Sequence, residues 1–169
     1  SPVWRNFWQA LIHVVRNAVD HGLEPIEERR LAKKSETGTL HLSTVYDDDQ
    51  FIVSVKDDGR GIDWQAVAEA ASARGLPQAT QEDLIESLFA DGLTTCKKAT
   101  ELSGRGVGMA AIKQVCDQLG GTIDVVSEPG QGTEFRFTFP AETMAPDTHM
   151  LLELYGIEFH FRSVIAASY

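Results

Sequence analysis

No apolar run in this sequence approaches the roughly 20 residues needed to cross a bilayer, and its opening residues lack the charge, apolar stretch and small-residue cleavage site of a secretory leader. Cysteine is scarce: Cys96 and Cys116 are the only two, and their spacing forms no CxxC pair. A disulfide framework and a thiolate metal site are therefore not expected, and Cys116, on the apolar side of a helical stretch, reads as a buried thiol. Positive charge is also in short supply. Fifteen Lys and Arg against 25 Asp and Glu give a formal charge of -10 and a pI near 4.9. A broad basic face for nucleic acid or anionic lipid is excluded on that balance, although local donors still suffice for a small anion. Neither nucleic acid nor direct membrane contact is expected, and the chain reads as cytoplasmic. What remains is 169 residues that are 43% hydrophobic, enough for one ordinary domain with a sizeable core.

Hydrophobic periodicity orders the elements. Val3, Phe7, Leu11, Val14, Val15 and Ala18 recur at three- and four-residue steps, predicting an amphipathic helix from Val3 to Asp20 that Gly22 stops. A short charged helix follows Pro25 within 24–34. Alternation over Thr39–Tyr46 and Phe51–Asp57 predicts two strands joined by an acidic turn. Asp63 is placed to cap a helix running to Ala73, and a second helical stretch runs from Gln81 to Phe89. From Ala90 to Arg105 the composition turns to Gly, Thr, Ser and Lys without periodicity, as in a mobile loop. A helix over Val107–Leu119 ends at Gly120-Gly121. A hairpin of Thr122–Ser127 and Thr133–Phe139 then turns at Pro129-Gly130, with Phe135, Phe137 and Phe139 on one face. The order predicts an α+β fold, a two-layer α/β sandwich with helices on one face of a mixed, largely antiparallel sheet. Residues 1–140 are expected to form the domain, and 141–169 a tail or extra packing element.

Four short segments carry the chemistry. On the opening helix, His13, Asn17 and Asp20 or His21 are spaced by three or four and so share a helical face. Asp57-Asp58-Gly59-Arg60-Gly61-Ile62 follows a strand directly. A carboxylate at the strand's end can accept a hydrogen bond from an exocyclic amine such as that of adenine, and the two glycines allow a sharp turn and close approach. Phe89, in Leu88-Phe89-Ala90-Asp91-Gly92, anchors the start of the mobile loop, which is expected to close over a ligand as a lid. Gly104-Arg105-Gly106-Val107-Gly108-Met109 opens a helix, where backbone amides and the helix dipole favour phosphate. No Gly-Lys-Ser/Thr follows it, so it is not a P-loop.

In this order the segments resemble the N, G1, F and G2 boxes of the ATPase superfamily that contains gyrase, Hsp-type chaperones, MutL and histidine kinases. His-x-x-Arg-Asn-Ala-x-Asp-His-Gly, the following Glu24-Pro25-Ile26-Glu27-Glu28-Arg29 and the stretch Ser103–Met109 are similar to the CheA-type histidine kinases. The likeness covers about residues 11–140 and implies a Bergerat-type fold using ATP and Mg2+. It further implies that Asn17 coordinates the metal, that His13, Arg16 and His21 are catalytic residues near the triphosphate, and that Asp57 binds the adenine amino group. Asp20, Gly59, Gly61 and Ile62 would complete the nucleotide site, with Gly104, Arg105, Gly106, Val107, Gly108 and Met109 at the phosphate end. The implied partners are a separate histidine phosphotransfer domain, a downstream response regulator and a second kinase chain, joined through a segment absent here. In the resembling hydrolases a Glu four residues before the Asn polarises water. Here that position is His13, which favours a kinase over an ATP hydrolase or a non-catalytic nucleotide sensor. Among the five histidines none is followed by Asp or Glu, so the phosphorylated histidine is expected elsewhere.

Overall fold

The structure is a computed structural model that describes residues 2–47, 49–90 and 107–144, together with the backbone of 161–167. Helix α1 spans Pro2–Asn17 and passes without a break into a π-helical turn, Ala18–Gly22. The periodicity predicts α-helix through Asp20, but the Leu23 amide donates to Ala18 O, five residues back, at 2.9 Å. The wider turn shifts the phase of Asp20 and His21 relative to His13 and Asn17, so simple three-and-four spacing does not carry past Asn17. Inserted π turns of this kind often mark functional sites.

Helix α2 covers Ile26–Leu31, strand β1 Gly38–Asp47 and β2 Gln50–Asp57. Helices α3, Trp64–Ala73, and α4, Gln81–Leu88, follow. The Asp63 carboxylate caps α3 by accepting from the Ala66 amide, and Thr80 and Asp83 form a reciprocal capping box on α4, the exchange that satisfies otherwise orphaned first-turn amides. Helix α5 is Val107–Gln118, and Gly120 ends it with φ +65°. Strands β3, Thr122–Glu128, and β4, Gly132–Pro140, make the expected hairpin, and β5 is Phe161–Ala167.

The sheet runs in the order β3-β4-β2-β1-β5 with every pairing antiparallel. The mixed component expected from sequence is therefore absent among the described strands. β1–β2 and β3–β4 are hairpins, and the α3–α5 excursion returns the chain to lie antiparallel beside β2. β5 pairs along the outer edge of β1, Gly38 opposite Ala167. Of 141–169, read from sequence as a tail or extra packing element, 145–160 and 168–169 lie outside the described residues.

One side of the sheet is covered by helices. Phe7, Leu11 and Val14 of α1, Ile112 and Cys116 of α5, and Leu40, Val53, Val55, Phe137 and Phe139 of the strands are buried in one cluster. Phe7 is fully buried, and its ring sits edge-on to Phe137 at 5.5 Å and Phe139 at 4.9 Å, a geometry that adds to simple area burial. Phe89 is buried against the same core, with its ring edge-on to Phe135 at 6.4 Å. Burial pushes the Cys116 thiol up to about 12, so at neutral pH it is an inert apolar filler. No described helix is long and apolar enough to cross a membrane.

Because Phe7 of α1 is fully buried against the sheet, Phe7→Ala should cost about 3–5 kcal/mol of unfolding free energy, the usual range for a buried Phe truncated to Ala. Urea denaturation measures it, and a loss below about 1 kcal/mol would show that α1 docks by other contacts.

Candidate functional site

Asp57 ends β2 and is only 4% exposed. Its Oδ1 accepts from the Gly59 amide at 2.9 Å and the Thr133 amide at 3.3 Å, while Oδ2 takes no hydrogen bond among the described residues. Burial pushes the Asp57 carboxyl above its ordinary value, the two amides oppose that rise, and the nearby Asp58 and Glu24 carboxylates add to it. An acceptor oxygen left open in this way on a buried side chain suits a donor supplied by a ligand.

Close backbone approaches surround this carboxylate. A Cβ on Gly22 would stand 3.5 Å from Asp57 Oδ2, one on Gly59 would overlap the Gly22 carbonyl, and one on Gly132 would overlap the Asp57 carbonyl. Gly61, at φ +78°, would put a Cβ 2.5 Å from Glu128 O. The glycines of the Asp-x-Gly-x-Gly segment thus make room first for the protein's own backbone. The loop they form is held from both sides: the Arg60 amide donates to Gly22 O at 2.8 Å, and the Gly130 amide to Arg60 O at 2.8 Å. The Ile62 amide donates to Ser127 Oγ at 2.8 Å, and that hydroxyl meets Thr133 Oγ1 at 2.9 Å. Gly61 and Ile62, with Arg60, Trp64 and Pro129, line a cleft of about 370 Å³ of which Asp57 is not a wall.

Beneath the loop lies a charge cluster that sequence reasoning missed. Arg29 is 1% exposed. Its guanidinium donates to Glu24 Oε2 at 2.9 Å, to Asp58 Oδ2 at 3.0 Å and to Ser35 O at 2.6 Å. The Lys34 ammonium donates to Glu24 Oε1 at 2.6 Å and to the Asp58 and Gly59 carbonyls at 2.9 and 2.7 Å. Burial alone would raise both carboxyls. The Lys34 hydrogen bond and charge hold Glu24 below its ordinary value, and the Thr39 amide and Arg29 do the same for Asp58. In sequence, 24–34 reads as a short charged helix, so only the tertiary structure reveals the cluster. Thr133, Ser127 and Gly132 were missed likewise, and for Gly132 the lone signal is a glycine two residues after Gly130.

The other expected site residues divide by position. His13, Arg16, Asn17, Asp20 and His21 are all exposed, on the second half of α1 and the π turn that follows. Helix α1 packs on α5, whose first turn contains no acidic residue to oppose an anion at its positive end. Val107 and Gly108 open α5, and Met109 is half-buried against the core. Gly104, Arg105 and Gly106, like the expected lid beyond Ala90, lie outside the described residues. Among the described residues no group of three or more His, Cys, Asp or Glu could hold a metal by itself. Asn17, with one amide oxygen, suits a hard cation whose remaining ligands are phosphate and water.

Comparisons with known proteins place the chain in a family. The family described as Histidine kinase-, DNA gyrase B-, and HSP90-like ATPase matches residues 5–143. The chain is 38% identical over 150 residues to the chemotaxis protein CheA of Cereibacter sphaeroides, covering 86% of this chain and 22% of that one. It is 36% identical over 136 residues to the sensor histidine kinase CheAY of Helicobacter pylori, covering 77% and 17%. To a gliding motility regulatory protein of Myxococcus xanthus it is 37% identical over 137 residues, covering 78% and 18%. It spans about a fifth of the length of these relatives. The chain belongs to the histidine kinase-, DNA gyrase B- and HSP90-like ATPases, as an ATP-binding domain of the CheA type.

Proposed function

We propose that this chain positions Mg-ATP so that the γ-phosphoryl group passes to a histidine on a separate phosphotransfer domain, from which a response regulator takes it. The carrying observation is the buried Asp57 carboxylate with Oδ1 saturated by backbone amides and Oδ2 open. That oxygen accepts from the adenine amino group. Gly59, Gly61 and Ile62 shape the adenine end. His13, Arg16 and His21 flank the triphosphate beside Asn17 and Asp20, and the segment from Gly104 to Met109 receives the phosphates at the start of α5. Asn17 is the protein's ligand to Mg2+, which neutralises phosphate charge when bound. In the transfer the bond from the γ-phosphorus to the ADP oxygen breaks, a phosphorus–nitrogen bond to the acceptor imidazole forms, and ADP leaves. His13 in place of a water-polarising Glu favours transfer over hydrolysis. The whole kinase works as a dimer through a segment outside this chain.

Asp57→Asn separates ligand affinity from stability. The folded carboxyl titrates above its unfolded value. Its contribution is therefore fully present below the unfolded value and is lost as pH rises through the folded one. At pH 7 the wild type carries that penalty and the Asn variant does not, since an amide oxygen still accepts both backbone amides. ATP affinity should fall by about 1–3 kcal/mol, while the denaturation midpoint without nucleotide at pH 7 stays the same or rises. Calorimetry showing wild-type ATP affinity would remove Asp57 from the site.

Asn17→Ala should abolish the Mg2+-dependent part of nucleotide binding and nearly all phosphotransfer. Retention of both would sink the metal assignment. The chain should also label a histidine phosphotransfer domain supplied at high concentration or fused through a flexible linker, which raises the effective concentration. The label should be acid-labile and base-stable. Brisk acceptor-independent ATP hydrolysis would replace the kinase reading with a hydrolase, and nucleotide binding with neither activity would indicate a sensor.

A further inference from the structure

The chain turns sharply just before Lys34. Helix α2 ends in a Schellman closure: the Lys34 amide donates to Arg29 O and the Lys33 amide to Arg30 O, at 2.9 and 3.0 Å. Lys33 occupies the left-handed position with φ 57°, where glycine is the usual residue. This turn carries the Lys34 side chain, 16% exposed, beneath the nucleotide loop.

What Lys34 grips there follows from peptide geometry. In a trans peptide the C=O and the next N–H lie in one plane and point in opposite directions. Lys34 Nζ holds the Asp58 carbonyl at 2.9 Å, and the N–H on the far side of that peptide, Gly59's, donates to Asp57 Oδ1 at 2.9 Å. The next peptide repeats the arrangement: Lys34 Nζ holds the Gly59 carbonyl at 2.7 Å, and the Arg60 N–H on its far side donates to Gly22 O at 2.8 Å. One ammonium thus spans two consecutive peptide planes, the first of which Arg29 Nη1 also contacts, more loosely, through Asp58 O at 3.4 Å, and those planes aim the donors that orient the Asp57 carboxylate and tie the loop to Gly22. Glu24, 7% exposed at its side chain, fixes the ammonium in turn.

We infer that Lys34 is a positioning residue for adenine recognition, setting the orientation of the Asp57 carboxylate through the Asp58–Gly59 peptide. This rests on the reading of Asp57 as the adenine acceptor. Lys34 touches no ligand itself. Its removal should blunt discrimination of the base rather than binding of the triphosphate.

The test compares the 169-residue chain with Lys34→Met, with the charge-balanced pair Glu24→Gln and Lys34→Met, and with Asp57→Asn. Affinities for ATP and for inosine triphosphate, which has oxygen in place of the exocyclic amine, are measured by calorimetry. The Gly59 amide proton is followed by NMR without nucleotide. Lys34→Met should lower ATP affinity about tenfold, the scale of one weakened buried hydrogen bond, with inosine triphosphate unchanged, and the Gly59 amide should shift upfield. The added Glu24→Gln, which removes the carboxylate left in excess, should restore thermal stability without restoring the ATP preference. An unaltered preference in Lys34→Met, or its recovery on adding Glu24→Gln, would reduce Lys34 to charge balance and overturn the inference. So would failure of both Lys34 variants to fold. If Asp57→Asn itself leaves the preference intact, the adenine reading fails instead. The orienting of the Asp57 carboxylate by Lys34 then stands or falls on the Gly59 amide, and an unmoved resonance overturns it.

Discussion

A carboxylate withdrawn from water must be surrounded by donors, and that requirement at Asp57 governs how the site is built. One donor comes from the residue two positions on, Gly59, and the other from the start of β4, at Thr133. For the second to reach, the β3–β4 hairpin has to sit against the end of β2, which Gly132 permits. For the first, the loop has to fold back tightly enough to touch Gly22 at the end of the π turn. The sheet register, the hairpin and the end of α1 are thereby fixed relative to one side chain. The stabilisation comes from the core of Phe7, Phe137 and Phe139, and the carboxylate draws on it.

The π turn has a related effect. By closing on Ala18 O, Leu23 leaves the Gly22 carbonyl to accept from Arg60. The exposed polar residues of α1 and the carboxylate at the end of β2 are consequently connected through the backbone hydrogen bond from Arg60 to Gly22. On the α2 side, Glu24 follows the same turn and closes the charge cluster with Arg29, Asp58 and Lys34. Such a cluster is weak evidence for net stability, because desolvation offsets attraction. Its value lies in geometry, holding a glycine-rich loop that would otherwise have the most conformational freedom to lose.

Much of this was legible in the sequence, for identifiable reasons. Elements with strong periodicity or a clear cap appeared where expected: α3 behind Asp63, α5 ending at Gly120, and the hairpin carrying Phe135, Phe137 and Phe139. Asp57 stood out only through its place in the order of four segments, because an Asp-Gly turn by itself is common. The π turn did not, since an extra residue in a helix leaves no trace in composition. The burial of Arg29 was hidden for a different reason. A stretch of Glu, Arg and Lys looks the same whether its charges face water or one another, and only the return of the Asp58 loop across α2 distinguishes the two. The fully antiparallel sheet also escaped, because the sign of the β2–β4 pairing depends on the path through α3 and α5.

The glycine contacts carry a consequence for how such a domain diverges. Gly59 and Gly132 face backbone carbonyls of the same chain, so any side chain there disrupts the fold whether or not nucleotide is bound. Asp57 is different, because an uncharged replacement of the same shape relieves a burial cost. A descendant that had abandoned its ligand would be free to drift at the acid while remaining bound to the glycines. Within such a lineage, persistence of the Gly-x-Gly signature would report only that the scaffold survives, and the identity of the residue at position 57 would be the trace of continued selection for the nucleotide.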